Sequence, residues 1–347
     1  MIVHIESPGM LSTIQDNGRQ GYRAYGLPAA GAMDRRSLGI ANVLLGNAQD
    51  EAALEMTLMA ATIRFEGEGI VALAGGDLGA TLNDWPLSPV GSFAVHDGDV
   101  LRFQGTKWGC RSYLAVAGGF DIPSEMGSKS TYIRGGVGGA HGRALRRGDA
   151  LSARAVEQAM PSYIGALPPY LWQHILPAGQ PVRVLFGPQD DYFDSTNLAA
   201  FLQTEWTIGN DADRMGYRLE GPALVHRDRK EIVSDGVVPG AIQVPGHGRP
   251  IVLLSDAQTS GGYAKIATVI SADLGLFGQL LPGNTVRFVA VGHDAARIAR
   301  EENQARVSCV EQWLQKHRAD ARHRAQRFTA QVQGNTYDIS VHKLEES

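Results

Sequence analysis

Two hydrophobic periods alternate along the chain. Between Met33 and Gly46, the apolar residues Leu38, Ala41, Leu44 and Leu45 recur at helical spacing, Asp34 stands at the N-cap or in the first turn, and Gly46-Asn47 supplies a stop. The spacing predicts a helix over 33–46, and a second short one over 51–58. From Ala61 the period shortens to two. Runs at 62–65, 70–74, 80–82 and 100–103 are bounded by Gly, Asn or Asp, with Asn83-Asp84 and Asp97-Gly98 as turn dipeptides; they read as short strands. Residues 113–117 form another strand, ended by Gly118-Gly119. Strands resume at 182–186, 241–244, 251–254, 266–270 and 286–291, with a short helix at 195–203. From His293 to about Arg327 the chain is polar and free of Pro and Gly. That predicts a long helix with a thin apolar stripe at Ile298, Val307, Val310 and Leu314. Such a helix needs something to lie on and is expected to be dispensable for folding of 1–292. A terminal hairpin is predicted at 328–341, turning at Gly334-Asn335.

One small pattern recurs: a turn glycine, a short polar residue, then an alternating strand. It occurs at 96–103, at 147–151 and at 282–288, and hints at two related β-barrel-like units. Between them, residues 155–182 concentrate Pro161, Pro168, Pro169, Pro177 and Pro181 with Tyr163, Tyr170 and Trp172. This reads as a connection that packs on a surface. The expected organisation is a first domain at 1–160, a connection at 161–182, a second domain at 183–292, and an extension at 293–347.

Composition supports many short strands joined by tight turns: 42 of 347 residues are glycine, spread along the chain, well above the usual share. Apolar residues make up 44% and charged residues 20%, an ordinary globular balance. With 32 basic and 36 acidic residues the net charge is −4, so no global field draws nucleic acid or an anionic membrane. Cys110 and Cys309 offer neither a disulfide framework nor a zinc site. The N-terminus lacks a leader pattern and no apolar run reaches membrane-span length. The expectation is a cytoplasmic protein without membrane or nucleic-acid partners.

Several familiar sites are excluded. Gly127-Ser128-Lys129-Ser130-Thr131 lacks the glycine directly before the lysine that a phosphate-wrapping loop requires. Gly135–Gly139 lacks a strand–helix frame. No paired histidines suggest a metal, and no GxSxG elbow is present. The densest polar region is 211–222, where Arg214 and Arg218 could form bidentate pairs with a carboxylate or phosphate, or could be structural ion pairs. At 240–263 an apolar strand ends in Ser255-Asp256-Ala257-Gln258-Thr259 and a Gly-Gly turn. Polar groups directly after a core strand suit a binding site, or a self-satisfied turn. Asp16, Arg19 and Glu55 are weaker candidates of the same kind.

Together the stretches 13–22, Gly31-Ala32-Met33-Asp34, Ala41-Asn42, Gly46-Asn47, 54–58, 113–119, 213–219 and 240–263 resemble the family of 5-oxoprolinase C subunits. That family is also described as allophanate hydrolase subunit 2, or biotin-dependent carboxyltransferase-like. The resemblance covers about 1–292. It implies a mainly β fold of two cyclophilin-like β-barrel domains with few helices, here with a helical C-terminal extension. It also implies a heteromer with A and B subunits, the latter cyclophilin-like, that uses ATP to convert 5-oxoproline to glutamate. Under that reading Arg214 and Arg218 are cationic clamps and Asp256 polarises or takes a proton. Gln243, Gln258 and Thr259 bind the substrate, with Asp16, Arg19 and Glu55 beside them. No ATP-binding residues are recognisable, and no metal is expected. The family is similar to carboxyltransferase domains that act on urea with carboxybiotin, and to an antagonist of a sporulation-kinase inhibitor; both remain alternatives. The hairpin at 329–341 resembles the opening strands of biotin carriers, but no Met-Lys-Met follows, so no biotin is expected on this chain.

Overall fold

The three glycine turns singled out by the recurring pattern close in the same way. Gly98, Gly148 and Gly283 all have φ between 85° and 89°, a region that favours glycine. Each donates its N–H to a strand carbonyl: Phe65 and Ile5 at 2.9 Å, Ile208 at 2.8 Å. The same three strand residues donate back to the carbonyls of Asp99, Asp149 and Asn284. The side chains of those residues cap the turns, accepting from the backbone of His96, Arg146 and Leu281 at 2.8–2.9 Å. The repeat is therefore one local structure built three times.

A computed structural model describes residues 1–155, 165–172, 181–227, 231–324, 326–332 and 335–341, with side chains as far as 317. Among these residues the strands form three large sheets. One runs in the order Ala150–Ser152, Ile2–Ser7, Thr62–Glu66, Val100–Phe103, Ala80–Leu82, Trp85–Pro86. The second runs Gly165–Ala166, Gly91–Val95, Gly69–Asp77, Trp108–Val116, Ala53–Thr57, Leu11–Gln15. They enclose one core, where Val3, Ile5 and Phe65 of the first meet Leu54, Val71 and Leu114 of the second. The third sheet has nine strands, all drawn from Val182 to Ala290, around Trp206, Tyr217, Val244 and Ile266. The fold is mainly β, with barrel-like sheets in both halves and a helical C-terminal segment. Gln326–Val332 pairs antiparallel with Asn335–Val341, the two strands of the expected hairpin, whose turn residue Gly334 lies outside the described residues.

Four helices are described: α1 (Arg35–Leu45), α2 (Ser195–Gln203), α3 (Leu274–Phe277) and α4 (His293–Arg324). α1 starts where Asp34 caps the Ser37 N–H and stops at Gly46 with φ 75°, as its spacing predicts. α4 lies on α1, and Val307, Val310 and Leu314 share a core with Leu38, Ala41 and Leu45. Ile298 is 47% exposed and Ala299 turns inward instead at 3%. The inward stripe runs 299, 303, 307, 310, 314, buried at all but the half-buried Asn303; Ile298 is one position off it, a rotation of about 100°.

Three expectations change. Residues 51–58 are not a helix. Ala53–Thr57 is a fully buried strand between Leu11–Gln15 and Trp108–Val116, so pairing on both edges overrides helical propensity. The strand expected at 113–117 begins earlier, at Trp108, and therefore carries Arg111 into the interior. Within the expected connection, Gly165–Ala166 extends the second sheet and Trp172 stacks on Trp108 at 5.8 Å.

Candidate functional site

A buried ionic network joins the two halves of the chain. Arg214 precedes the strand Gly216–Glu220 and is 4% exposed. Its fork grips Asp256 through Nε at 3.0 Å and Nη2 at 2.9 Å. Nη2 also donates to the Gly31 carbonyl at 2.7 Å, and Nη1 to Glu55 Oε1 at 2.5 Å. Burial alone would lower the Arg214 pKa, but Asp256 and Glu55 outweigh it and hold the pKa above its ordinary value. Glu55 Oε2 accepts from the Met33 N–H at 2.9 Å and the Tyr113 hydroxyl at 2.7 Å. Tyr113 in turn accepts from the Asp34 N–H at 2.8 Å. Burial, with Glu55 beside it, raises the Tyr113 phenol well above its usual range.

Arg111 extends the network. Its Nη1 donates to the Tyr217 hydroxyl at 2.8 Å and the Gly278 carbonyl at 2.6 Å. Burial pushes the Tyr217 phenol up to about 12, with Arg111 opposing. Gln279 closes the circuit, accepting from the Cys110 and Arg111 N–H groups and donating to Asp34 Oδ2 at 3.0 Å. The segment 31–34 is thus clamped from behind. Its other side, with α1, faces a cleft of about 300 Å³ whose opposite wall includes Val238, Pro239, Ser255 and Leu274.

The family model for the carboxyltransferase domain, subdomain A and B, matches residues 25–290. That span contains every member of this network. The chain belongs to that family. The 5-oxoprolinase C subunit of Escherichia coli (strain K12) is 39% identical over 297 residues, covering 85% of this chain and 93% of that protein. Urea amidolyase of Lachancea kluyveri is 34% identical over 330 residues, covering 88% of this chain but 18% of that one. The crystal structure of Kluyveromyces lactis urea amidolyase superposes with TM-score 0.82 at 30% identity, over 89% of this chain and 20% of that chain.

Within this carboxyltransferase-family frame, Arg214, Asp256 and Glu55 come together, each nine-tenths buried or more. Arg218 does not join them. Its neighbours Tyr217 and Leu219 point inward, so alternation sends Arg218 outward. It stands 3.5 Å from Asp211 in an open groove of about 490 Å³ with His247 and Arg249. Gln243 is 2% exposed, and its Nε2 finds no hydrogen-bond partner among the described residues. Gln258 and Thr259 lie in the turn after Ile251–Leu253, and the Thr259 carbonyl accepts from Val237. Asp16 is a turn staple. It accepts from the Gly18 and Lys129 N–H groups at 2.7 and 2.6 Å and from the Ser128 and Ser130 hydroxyls at 2.7 and 2.5 Å. Arg19 is fully buried; Nη2 reaches the Ser130 carbonyl at 2.6 Å, while Nε and Nη1 have no partner among the described residues. Burial lowers its pKa, against the pull of Asp16, Glu125 and Asp256.

Sequence reasoning missed Arg111, Tyr113, Tyr217 and Gln279. Arg111 carried a readable signal: a cation inside an otherwise apolar strand needs a buried anion. The other three are ordinary residues made polar anchors only by packing. The 127–131 loop does not fit a nucleotide phosphate. Lys129 is held by Glu51 at 2.7 Å, and the Ser128 and Ser130 hydroxyls face the Asp16 carboxylate, which repels an anion. Among the described residues no three His, Cys, Asp or Glu side chains converge as a metal site.

Proposed function

We propose that the chain is the C subunit of an ATP-dependent 5-oxoprolinase, which converts 5-oxo-L-proline to L-glutamate by phosphorylation and ring opening. The observation that carries this reading is the 39% identity spanning 93% of the E. coli protein. A lactam is a poor electrophile, and ATP supplies a phosphoryl leaving group on its oxygen. In sum, 5-oxoproline, ATP and two waters give glutamate, ADP and phosphate. The phosphate-loop-like segment 127–131 is closed by Asp16 and is not assigned to the nucleotide.

The residues of this chain then act on the lactam. Arg214 and Asp256 are positioning residues: their fork is committed to each other, to Glu55 and to Gly31. The unpaired Nε2 of Gln243 is a buried donor suited to an amide oxygen, with Gln258 and Thr259 nearby in the chain. Arg218 shares a cross-strand row with Gln243 through Ile251 and stands exposed in the open groove. A cytoplasmic location fits the two free cysteines, Cys110 and Cys309. Among the described residues no helix is long and apolar enough to cross a membrane.

Co-purified with the A and B subunits, the chain should support ATP-dependent release of glutamate and phosphate from 5-oxoproline, and alone it should not. A complete complex without that turnover refutes the reading. The rival is carboxyl transfer from carboxybiotin to urea or a related amide. It is favoured by the urea amidolyase match, which extends over 330 residues, and is scored by urea carboxylation in the same assay.

A further inference from the structure

The cleft beside α1 collects charge that the protein leaves unused. Three arginines line it, Arg23, Arg35 and Arg36, the last shared with a neighbouring pocket that Asn303 and Arg306 also line. The one carboxylate on its wall, Asp34, is occupied by the Ser37 N–H and hydroxyl, the latter at 2.6 Å, and by Gln279 Nε2 at 3.0 Å. Asp273, on the far side of Arg36, is held bidentately by Arg183 at 2.6 and 3.0 Å.

The three cations are correspondingly under-paired. Arg36 is 8% exposed; Nη1 has a long bond of 3.3 Å to Asn303 Oδ1, and Nε has no partner among the described residues. Arg23 spends Nη2 on the Val237 carbonyl, and its buried Nη1 has no partner among the described residues. The Arg35 side chain makes no hydrogen bond or ion pair among the described residues and is exposed. Burial pushes all three guanidiniums down, opposed by Asp16 at Arg35 and by Asp34 and Asp273 at Arg36, where Arg306 adds to the fall. Buried donors are nearly always paired, and an unpaired buried cation is costly.

The setting suits an anion in three further ways. The arginines flank the first turn of α1, whose free N–H groups and dipole favour negative charge. Ser271 also lines the cleft, and the Ser255 hydroxyl there is held only by a long 3.5 Å bond to the Ala32 carbonyl. The wall itself is fixed, since Met33 and Asp34 are held from behind by Glu55 and Tyr113. A volume of about 300 Å³ lies at the small end of ligand sites.

We propose that this cleft binds the oxyanion end of a small molecule, a carboxylate or a phosphate, held by Arg23, Arg35 and Arg36. The site deepens the 5-oxoprolinase reading, on which the choice of 5-oxoproline as probe rests: that substrate joins a lactam to one carboxylate. Arg forks match either group bidentately.

The test is calorimetric titration of the purified full chain, at fixed ionic strength, with inorganic phosphate, with 5-oxo-L-proline, and with pyrrolidin-2-one, the same lactam without its acid. Saturable binding of at least one of the two anions is expected, with the neutral lactam at least about tenfold weaker. Arg23→Gln and Arg35→Gln should each weaken that binding by about tenfold or more. Both positions keep solvent contact, so both variants should fold, which their melting curves check; Arg102→Gln, on an exposed strand face, should bind as wild type does. Competition between phosphate and 5-oxoproline assigns the carboxylate to the cleft; binding of phosphate alone assigns a phosphoryl group. Absence of saturable binding by either anion overturns the proposal, as does equal binding in both arginine variants or an equal loss in Arg102→Gln. Binding that survives when the assembled complex fails to turn over 5-oxoproline refutes the enzymatic reading and leaves the anion site standing.

Discussion

Replacing Arg214 with alanine tests the network that the site is built on. The variant leaves Glu55 and Asp256 buried at 1% and 6% exposure, with two carboxylates facing a cavity where their shared cation stood. Removing one partner of a buried ion pair typically costs about 3–5 kcal/mol, mostly the burden of the stranded charge. Spread over a chain of this size, that is a fall in Tm of about 4–7 °C. Arg214→Lys keeps the charge but not the planar fork, and should lie between variant and wild type. Adding Asp256→Asn to Arg214→Ala should cost less than Asp256→Asn alone, since the two residues share one interaction. Scanning calorimetry of these proteins gives every number. An Arg214→Ala protein that melts within about 1 °C of wild type refutes the network as the join between the halves. A normal Tm with lost turnover would return Arg214 to the role of a direct substrate clamp.

Truncation after residue 292 strips Val307, Val310 and Leu314 from the α1 core. Each buried side chain contributes about 1.5–3 kcal/mol, so the loss approaches a typical domain's whole stability; a soluble, cooperatively melting 1–292 fragment would contradict this and restore the expectation drawn from the tail's polarity. Gly98→Ala, Gly148→Ala and Gly283→Ala should each cost about 1–2 kcal/mol, because all three share a positive φ with nothing within 4 Å of a new Cβ; widely different denaturation midpoints would break the equivalence of the turns. Hydrogen bonds from Arg143 hold the Asp149 carboxyl down at about 2. Its contribution is therefore present above the ordinary carboxylate range and lost as pH falls from about 4 to 2; Asp149→Asn should flatten that part of the acid unfolding curve, and an unchanged curve would count against the pair. Glu55→Gln should lower Tm by weakening both the Arg214 bond and the grip on Met33; an unchanged melting curve would count against that role.

Local chemistry was legible in the sequence because it depends on neighbours along the chain. The α1 boundaries follow from Asp34 and Gly46, whose cap geometries need only a few adjacent residues. The three equivalent turns follow from a glycine and an Asp or Asn beside it. Family membership was legible too, since motifs survive in order along the chain. Tertiary structure decided the rest. Ala53–Thr57 has helical composition but two strands waiting on its edges, and paired backbone outweighs propensity. Arg214 and Arg218 look alike four residues apart, yet the pleat of one strand sends Tyr217 inward and Arg218 to solvent, while Arg214 precedes that strand and is buried. Arg23, Arg35 and Arg36 carry no mark that separates them from solvated surface arginines. Only the approach of the second half, with Val238, Ser255 and Leu274, turns them into the lining of a cleft. Burial and charge compensation are properties of contacts between segments far apart in sequence, and no spacing along the chain encodes which cation will be left without its anion.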